Sequence, residues 1–185
     1  APVSRYLRGR GLCVRLVGVA YRAHNPRWAW SPLSGEGARL HGGRFNRAGD
    51  AALYLSLETE TAICEASQGF AARFPPLTLI TYDVDCEDIV DLNDDAERAR
   101  RGIEMADLSC PWLALLLDGK VVPSHGVADR LIDAGAAGAI VPSFAPSAAV
   151  DARNLVLWRW GPDLPWKVTV YDPDNRLPSD GSSWR

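Results

Sequence analysis

No two cysteines in this 185-residue chain stand in a CxxC pair; Cys13, Cys64, Cys86 and Cys110 are scattered. That spacing removes the common zinc and thioredoxin-type motifs, and a disulfide framework is not expected at this size. The cysteines read as small buried hydrophobes. His24, His41 and His125 form neither an HExxH motif nor a pair at helical spacing, so no metal is expected. No apolar run approaches the roughly 18 to 20 residues of a membrane helix, and no membrane contact is expected. Basic excess is also missing. The formal net charge is -3, which leaves no electrostatic footprint for gripping nucleic acid directly. There is no internal repeat, no long linker and no GxGxxG between a strand and a helix, so a Rossmann site is excluded. The chain begins Ala1-Pro2-Val3-Ser4-Arg5, without Met and without a long apolar signal core. It reads as a cytoplasmic protein with a processed, trimmed or engineered start.

What is present suits one domain with a real core: 47% of the residues are hydrophobic. Strands are expected at Leu16 to Arg22, Ala52 to Ser56, Thr78 to Asp85, Gly138 to Pro142, Asn154 to Trp160 and Lys167 to Tyr171, with another at Asp88 to Leu92. Ser56 reads as a helix N-cap, with Glu58 and Glu60 in the first turn. That helix should run to about Gly69 or Ala72, before Pro75-Pro76. Asp94 to Arg101 reads as a solvated helix or loop. Further helices are expected at Trp112 to Leu117, opened by Pro111, and at Val127 to Ala134, closed by Gly135. Asn25 to Gly37 reads as irregular, and the tail from Pro173 has little to bury. Short strands without strict helix alternation imply an α+β class. The boundaries expected are an N-terminal extension over 1–13, the domain over 14–172 and a C-terminal tail over 173–185.

The chemistry concentrates between residues 40 and 65. "LHGGRFNRAGD" sets Arg44 and Asn46 among Gly42, Gly43 and Gly49. A bare backbone beside a guanidinium suits an anionic ligand, because the planar fork matches phosphate oxygens. Tyr54 follows in a strand, where a tyrosine packs or offers a flat platform with a hydroxyl. On the next helix Ile63, Ala66 and Phe70 share a face, and Glu65 lies on the other side near Ala62 and Gly69. Its small neighbours leave room for something to approach. Each residue alone also fits an ordinary surface or packing role; the combination is more specific.

In that combination the sequence resembles the RES-domain family, toxins of bacterial toxin–antitoxin pairs named for an arginine, a glutamate and a serine. The matching stretches are "YRAHNP", "GGRFNRAGDAALYLSLETETAICE" and "GAIVPS", within Tyr21 to Trp160. The resemblance implies an ADP-ribosyltransferase-like α+β body of two small sheets with flanking helices around an NAD cleft. It places Arg44, Tyr54 and Glu65 at catalytic positions. It puts Arg22, Gly43, Asn46 and Ser143 on the substrate, although Ser147 follows the serine segment and Ser124 precedes it. Phe45 occupies a position where the family often has Trp. NAD+ would be a consumed substrate, with no cofactor retained. The ADP-ribose acceptor, whether water, phosphate or a protein side chain, stays open. A helix-turn-helix antitoxin of the Xre type is implied as partner in a hetero-oligomer; on this chain Trp28 and Trp30 are the candidate apolar anchors for it, with core packing as the alternative. DNA would then be touched only through that partner. The alternatives are a non-catalytic nucleotide- or protein-binding module and a nuclease toxin; the acidic balance and scattered histidines disfavour the latter.

Overall fold

The structure, a computed structural model, describes residues 5–8, 13–67 and 75–182. Its strands are β1 (Arg5–Arg8), β2 (Val14–His24), β3 (Leu53–Ser56), β4 (Thr78–Asp91), β5 (Gly138–Pro142), β6 (Arg153–Leu157) and β7 (Trp166–Val170). The helices are α1 (Glu36–His41), α2 (Thr59–Ala66), α3 (Asp95–Arg101), α4 (Met105–Leu108), α5 (Trp112–Leu117) and α6 (Pro123–Asp133), with a 3-10 turn at Pro26–Trp28. None is long and apolar enough to cross a membrane among the described residues.

The long strands β2 and β4 pair antiparallel from Leu16↔Cys86 to His24↔Thr78, with an irregularity between Val14 and Leu16. Each then takes two further neighbours on its other edge. β2 carries β1 and, at Tyr21↔Ser56, β3. β4 carries β7 antiparallel and β5 parallel. β3 pairs β6, and β6 pairs β5, both antiparallel. The ring β2–β3–β6–β5–β4 therefore closes on itself, and the α+β body with flanking helices follows. The two expected sheets are halves of one hydrogen-bonded system hinged on β2 and β4.

Burial explains the strand sequences. β5 and β6 are covered on both faces: Ile140, Leu155 and Leu157 enter one core with Leu16, Tyr82 and Val84. Ala139, Val141 and Val156 enter a second core with Phe45, Leu92, Val127 and Leu131. Doubly covered strands read as continuous apolar runs, as "GAIV" and "NLVL" do. Gly138 is required by this closeness, since a Cβ there would meet the Val156 carbonyl and come within 2.8 Å of Leu157.

Several boundaries differ from the sequence reading. Asp88 to Asp91 continues β4 instead of starting another strand, because β4 passes from β7 to β5 without a turn. The cap of α2 is Glu58, not Ser56, whose side chain is drawn into the sheet instead. The described part of α2 ends at Ala66; the expected extension to Gly69 or Ala72 lies outside the described residues. α3 is a helix capped by Asp94, but not a solvated one throughout: Glu97 is 4% exposed and holds Arg100 and Arg101. α6 starts one turn earlier than expected, with Pro123 at its N-terminus. The tail also buries something, setting Leu177 against the first core.

His24, at the end of β2, has a buried Nε2 without a hydrogen-bond partner among the described residues. Burial first, and then the charge of Arg22, pushes its pKa down to about 4. The folded state therefore prefers neutral His24, whereas the unfolded chain takes up a proton near its ordinary value of about 6.5. Its contribution to stability is complete above that value and is lost as pH falls toward 4. Discounted for partial exposure, the loss is on the order of 1–2 kcal/mol. Urea unfolding of wild type and His24→Gln at intervals between pH 7 and 4 checks this. The wild-type curve should fall more steeply than the variant's; parallel curves would remove the effect.

Candidate functional site

The loop between α1 and β3 is fixed by contacts that reach across the molecule. Gly42, at φ 71°, ends α1 in a conformation that favours glycine. The next three carbonyls are each taken by a different side chain. His125 Nε2 lies 2.8 Å from Gly43 O, Ser124 Oγ donates to Arg44 O at 2.6 Å, and Trp158 Nε1 donates to Phe45 O at 2.9 Å. A carbonyl only accepts, so His125 carries its proton on Nε2 in this arrangement, an assignment made from the bonding partner. Asn46, 4% exposed, staples the loop from inside. Its Nδ2 donates to Ala38 O, Arg47 O and Asp50 O, and its Oδ1 accepts from Tyr54 Oη at 2.7 Å. Tyr54 Oη accepts from Phe45 N in turn. A Cβ on Gly43 would come within 2.5 Å of Tyr54 Oη and 2.6 Å of Asn46 Oδ1, so only glycine fits there.

This loop forms one wall of a cavity of about 500 Å³, within the range of small-molecule sites. Arg22, Gly43, Arg44, Tyr54 and Glu65 all line it, from β2, the loop, β3 and α2. Arg44 Nη1 donates to Leu108 O at 3.0 Å and Cys110 O at 2.6 Å, and its guanidinium lies 4.6 Å from the centre of the Phe144 ring. Burial pulls its pKa below the ordinary guanidinium value, opposed by Cys110, Glu65 and Tyr54. Arg22 Nη1 donates to Pro32 O and Ser34 O, and burial lowers its pKa too. Neither arginine makes a salt bridge among the described residues, and both stay charged at neutral pH. Burial holds the Tyr54 hydroxyl well above its usual pKa, so it remains protonated.

Glu65 accepts two hydrogen bonds on Oε1, from Ser143 Oγ at 2.6 Å and Asn154 Nδ2 at 2.5 Å. Ser56 Oγ donates to Asn154 Oδ1 at 2.7 Å. Among the described residues Glu65 is the one carboxylate that lines the cavity. The lining therefore offers two cations, one anchored carboxylate and the rings of Tyr21, Tyr54, Trp112 and Phe144.

Two expected substrate contacts lie off the cavity lining. Asn46 does not line the cavity, because its amide is wholly engaged in shaping the loop. Ser143 does not line it either; it stands behind Glu65 and acts on the carboxylate. The neighbouring serines do different work: Ser124 holds Arg44 O, and the Ser147 carbonyl accepts from Cys64. The sequence reading missed the roles that Ser56, Asn154, Ser124 and His125 play here. Only Pro123, at a favoured first helical position, signalled that α6 began early enough to include the last two.

Two comparisons bear on this arrangement, and a third, with curated proteins, finds none that matches. A solved structure, the crystal structure of the M. tuberculosis MbcT-MbcA toxin-antitoxin complex, contains a chain similar to this one. Its TM-score is 0.64 at 21% identity, over 86% of this chain and 84% of that one. At that identity the likeness establishes the shared fold. The family model of the RES domain matches residues 19–180, a span that holds every residue of the cavity. The chain belongs to the RES-domain family.

Proposed function

We propose that the protein is the toxin of a toxin–antitoxin pair and that it breaks the bond between nicotinamide and ribose in NAD+. One observation carries the reading: a single anchored carboxylate shares a ligand-sized cavity with two arginines held by carbonyls rather than by acids. Cations without acidic partners suit the pyrophosphate of a dinucleotide, whose charges would otherwise be desolvated without compensation. Family membership and a fold shared with a chain of a toxin–antitoxin complex support the toxin role.

The chemistry needs little more. Nicotinamide leaves as a neutral molecule from a cationic ring, taking the electron pair of the broken C–N bond, so no general acid is required. Positive charge develops on the ribose as in glycoside hydrolysis. Glu65 accepts the proton of a ribose hydroxyl in a hydrogen bond and stabilises that charge. Arg44 has Nε and Nη2 unengaged among the described residues, both available to phosphate oxygens, while Phe144 backs the guanidinium plane. The Tyr54 hydroxyl is committed to the loop, so its contribution to the ligand is the ring. ADP-ribose then passes to water, phosphate or a protein side chain, which gives up a proton as the new bond to ribose forms. A nuclease would need several acids or an acid–base set beside a basic groove, and the lining offers one carboxylate. A binding module would not require Glu65 at all.

Glu65→Gln decides between enzyme and binding module. Nicotinamide release by the purified variant should fall at least about 100-fold, with NAD+ affinity within about threefold of wild type. Wild-type release would sink the catalytic assignment.

Arg44→Ala should weaken NAD+ binding by about tenfold or more, the loss of one charge-assisted contact. Arg44→Lys should recover only part, since lysine keeps the charge and loses the fork. Calorimetric titration reads both, and identical curves for all three proteins would take Arg44 out of the site.

An enzyme that drains NAD+ needs a keeper, and an Xre-type antitoxin that covers the cavity mouth is the keeper proposed. Trp28 and Trp30, both exposed, offer apolar anchors beside the segment that holds Arg22. Co-purification with the antitoxin should give a stable hetero-oligomer that releases no nicotinamide until the two are separated. Full turnover by the intact complex would rule out occlusion.

A further inference from the structure

We infer that Asn154, oriented by Ser56, is the positioning residue that fixes the Glu65 carboxylate for its work. The inference rests on the reading of Glu65 as the catalytic carboxylate and extends it to residues of the sheet.

Ser56 and Asn154 are direct partners across β3 and β6. They continue a single row of partners: Thr81 on β4, Tyr21 on β2, Ser56, Asn154, then Val141 on β5. Tyr21, Ser56, Asn154 and Val141 all line the cavity, so this row forms part of its floor. Glu65 comes from outside the row, on an eight-residue helix.

The bonding runs in one direction. Ser56, 4% exposed, donates its only hydroxyl proton to Asn154 Oδ1 at 2.7 Å. With its acceptor end held, the amide turns its donor end to Glu65 Oε1, 2.5 Å away. A flipped amide would put oxygen against oxygen at the carboxylate and nitrogen against the serine proton. The second donor to Oε1, Ser143 Oγ, is set by Ser143 N donating to Ala152 O at 2.8 Å. Two donors from different chain segments on one oxygen stop the carboxylate rotating about its terminal bond. Of the two, Asn154 is embedded in a strand paired on both edges, so the sheet itself sets where Glu65 points. Misplacement of a reacting group by about 1 Å can cost on the order of 100-fold in rate.

The experiment measures nicotinamide release from NAD+ by the purified full chain, alongside melting temperature. Asn154→Ala should lower kcat about 100-fold with KM within about threefold. Asn154→Asp is isosteric and replaces the donor with a second acceptor. Its kcat should fall about 100-fold at pH 8 and recover about tenfold relative to wild type near pH 5, where a proton shared by the two carboxylates restores the bond. Ser56→Ala should lower kcat about tenfold, and Ser56→Thr, which keeps the hydroxyl, should restore it. A merely structural role would lower the melting temperature without producing the pH-dependent recovery. Wild-type kcat in Asn154→Ala, or the same relative loss at every pH in Asn154→Asp, overturns the positioning role. Failure of the underlying reading shows separately, as undiminished turnover in Glu65→Gln.

Discussion

The structure depends on three consecutive carbonyls. Gly43, Arg44 and Phe45 each present an oxygen that a side chain from α6 or from the end of β6 takes up. A loop with glycines on both sides of an arginine has no stiffness of its own. Held at three successive peptide groups, it becomes a wall, and the Arg44 side chain leaves that wall toward the cavity. The second core contributes as well, because Phe45 packs among Leu92, Val127 and Val156. The anion-binding geometry is thus a consequence of tertiary packing.

Arginine usage divides the molecule. Arg15, Arg39, Arg47, Arg98, Arg100 and Arg101 are neutralised by nearby carboxylates. Arg22 and Arg44 are held by backbone oxygens instead. A carbonyl fixes the position of a guanidinium without cancelling its charge. Partial burial of both raises the free-energy cost of leaving that charge uncompensated, and the cost is recovered when an anion arrives. Stability and affinity are set against each other at these two residues.

Much of this was legible in the sequence. The spacing of Arg44, Tyr54 and Glu65, with Arg22 before them, led to residues that all line one cavity. β5 was legible to the residue, because Ala139, Ile140 and Val141 make an apolar run bounded by Gly138 and Pro142. What failed did so for physical reasons. Ser56 reads as a cap by local chemistry, yet its partner is Asn154, 98 positions away, and no local rule reports that. Asn46 looks like a ligand contact because it sits among glycines; its role appears only when Ala38, Asp50 and Tyr54 are brought around it. Glu97 sits in a charged run, and its burial follows from how α3 packs. Polar residues engaged over long range are the ones that local pattern cannot assign.

The closure of the ring between β2 and β3 has its own consequence. These strands meet at Tyr21↔Ser56 alone, whereas β2 and β4 pair along almost their whole length. The barrel is therefore a clasp, sewn firmly on one side and fastened at a single point on the other. Both residues of the fastening face the cavity. Parting them disturbs few ladder bonds, so the ring can open locally beside the cavity at a cost far below unfolding.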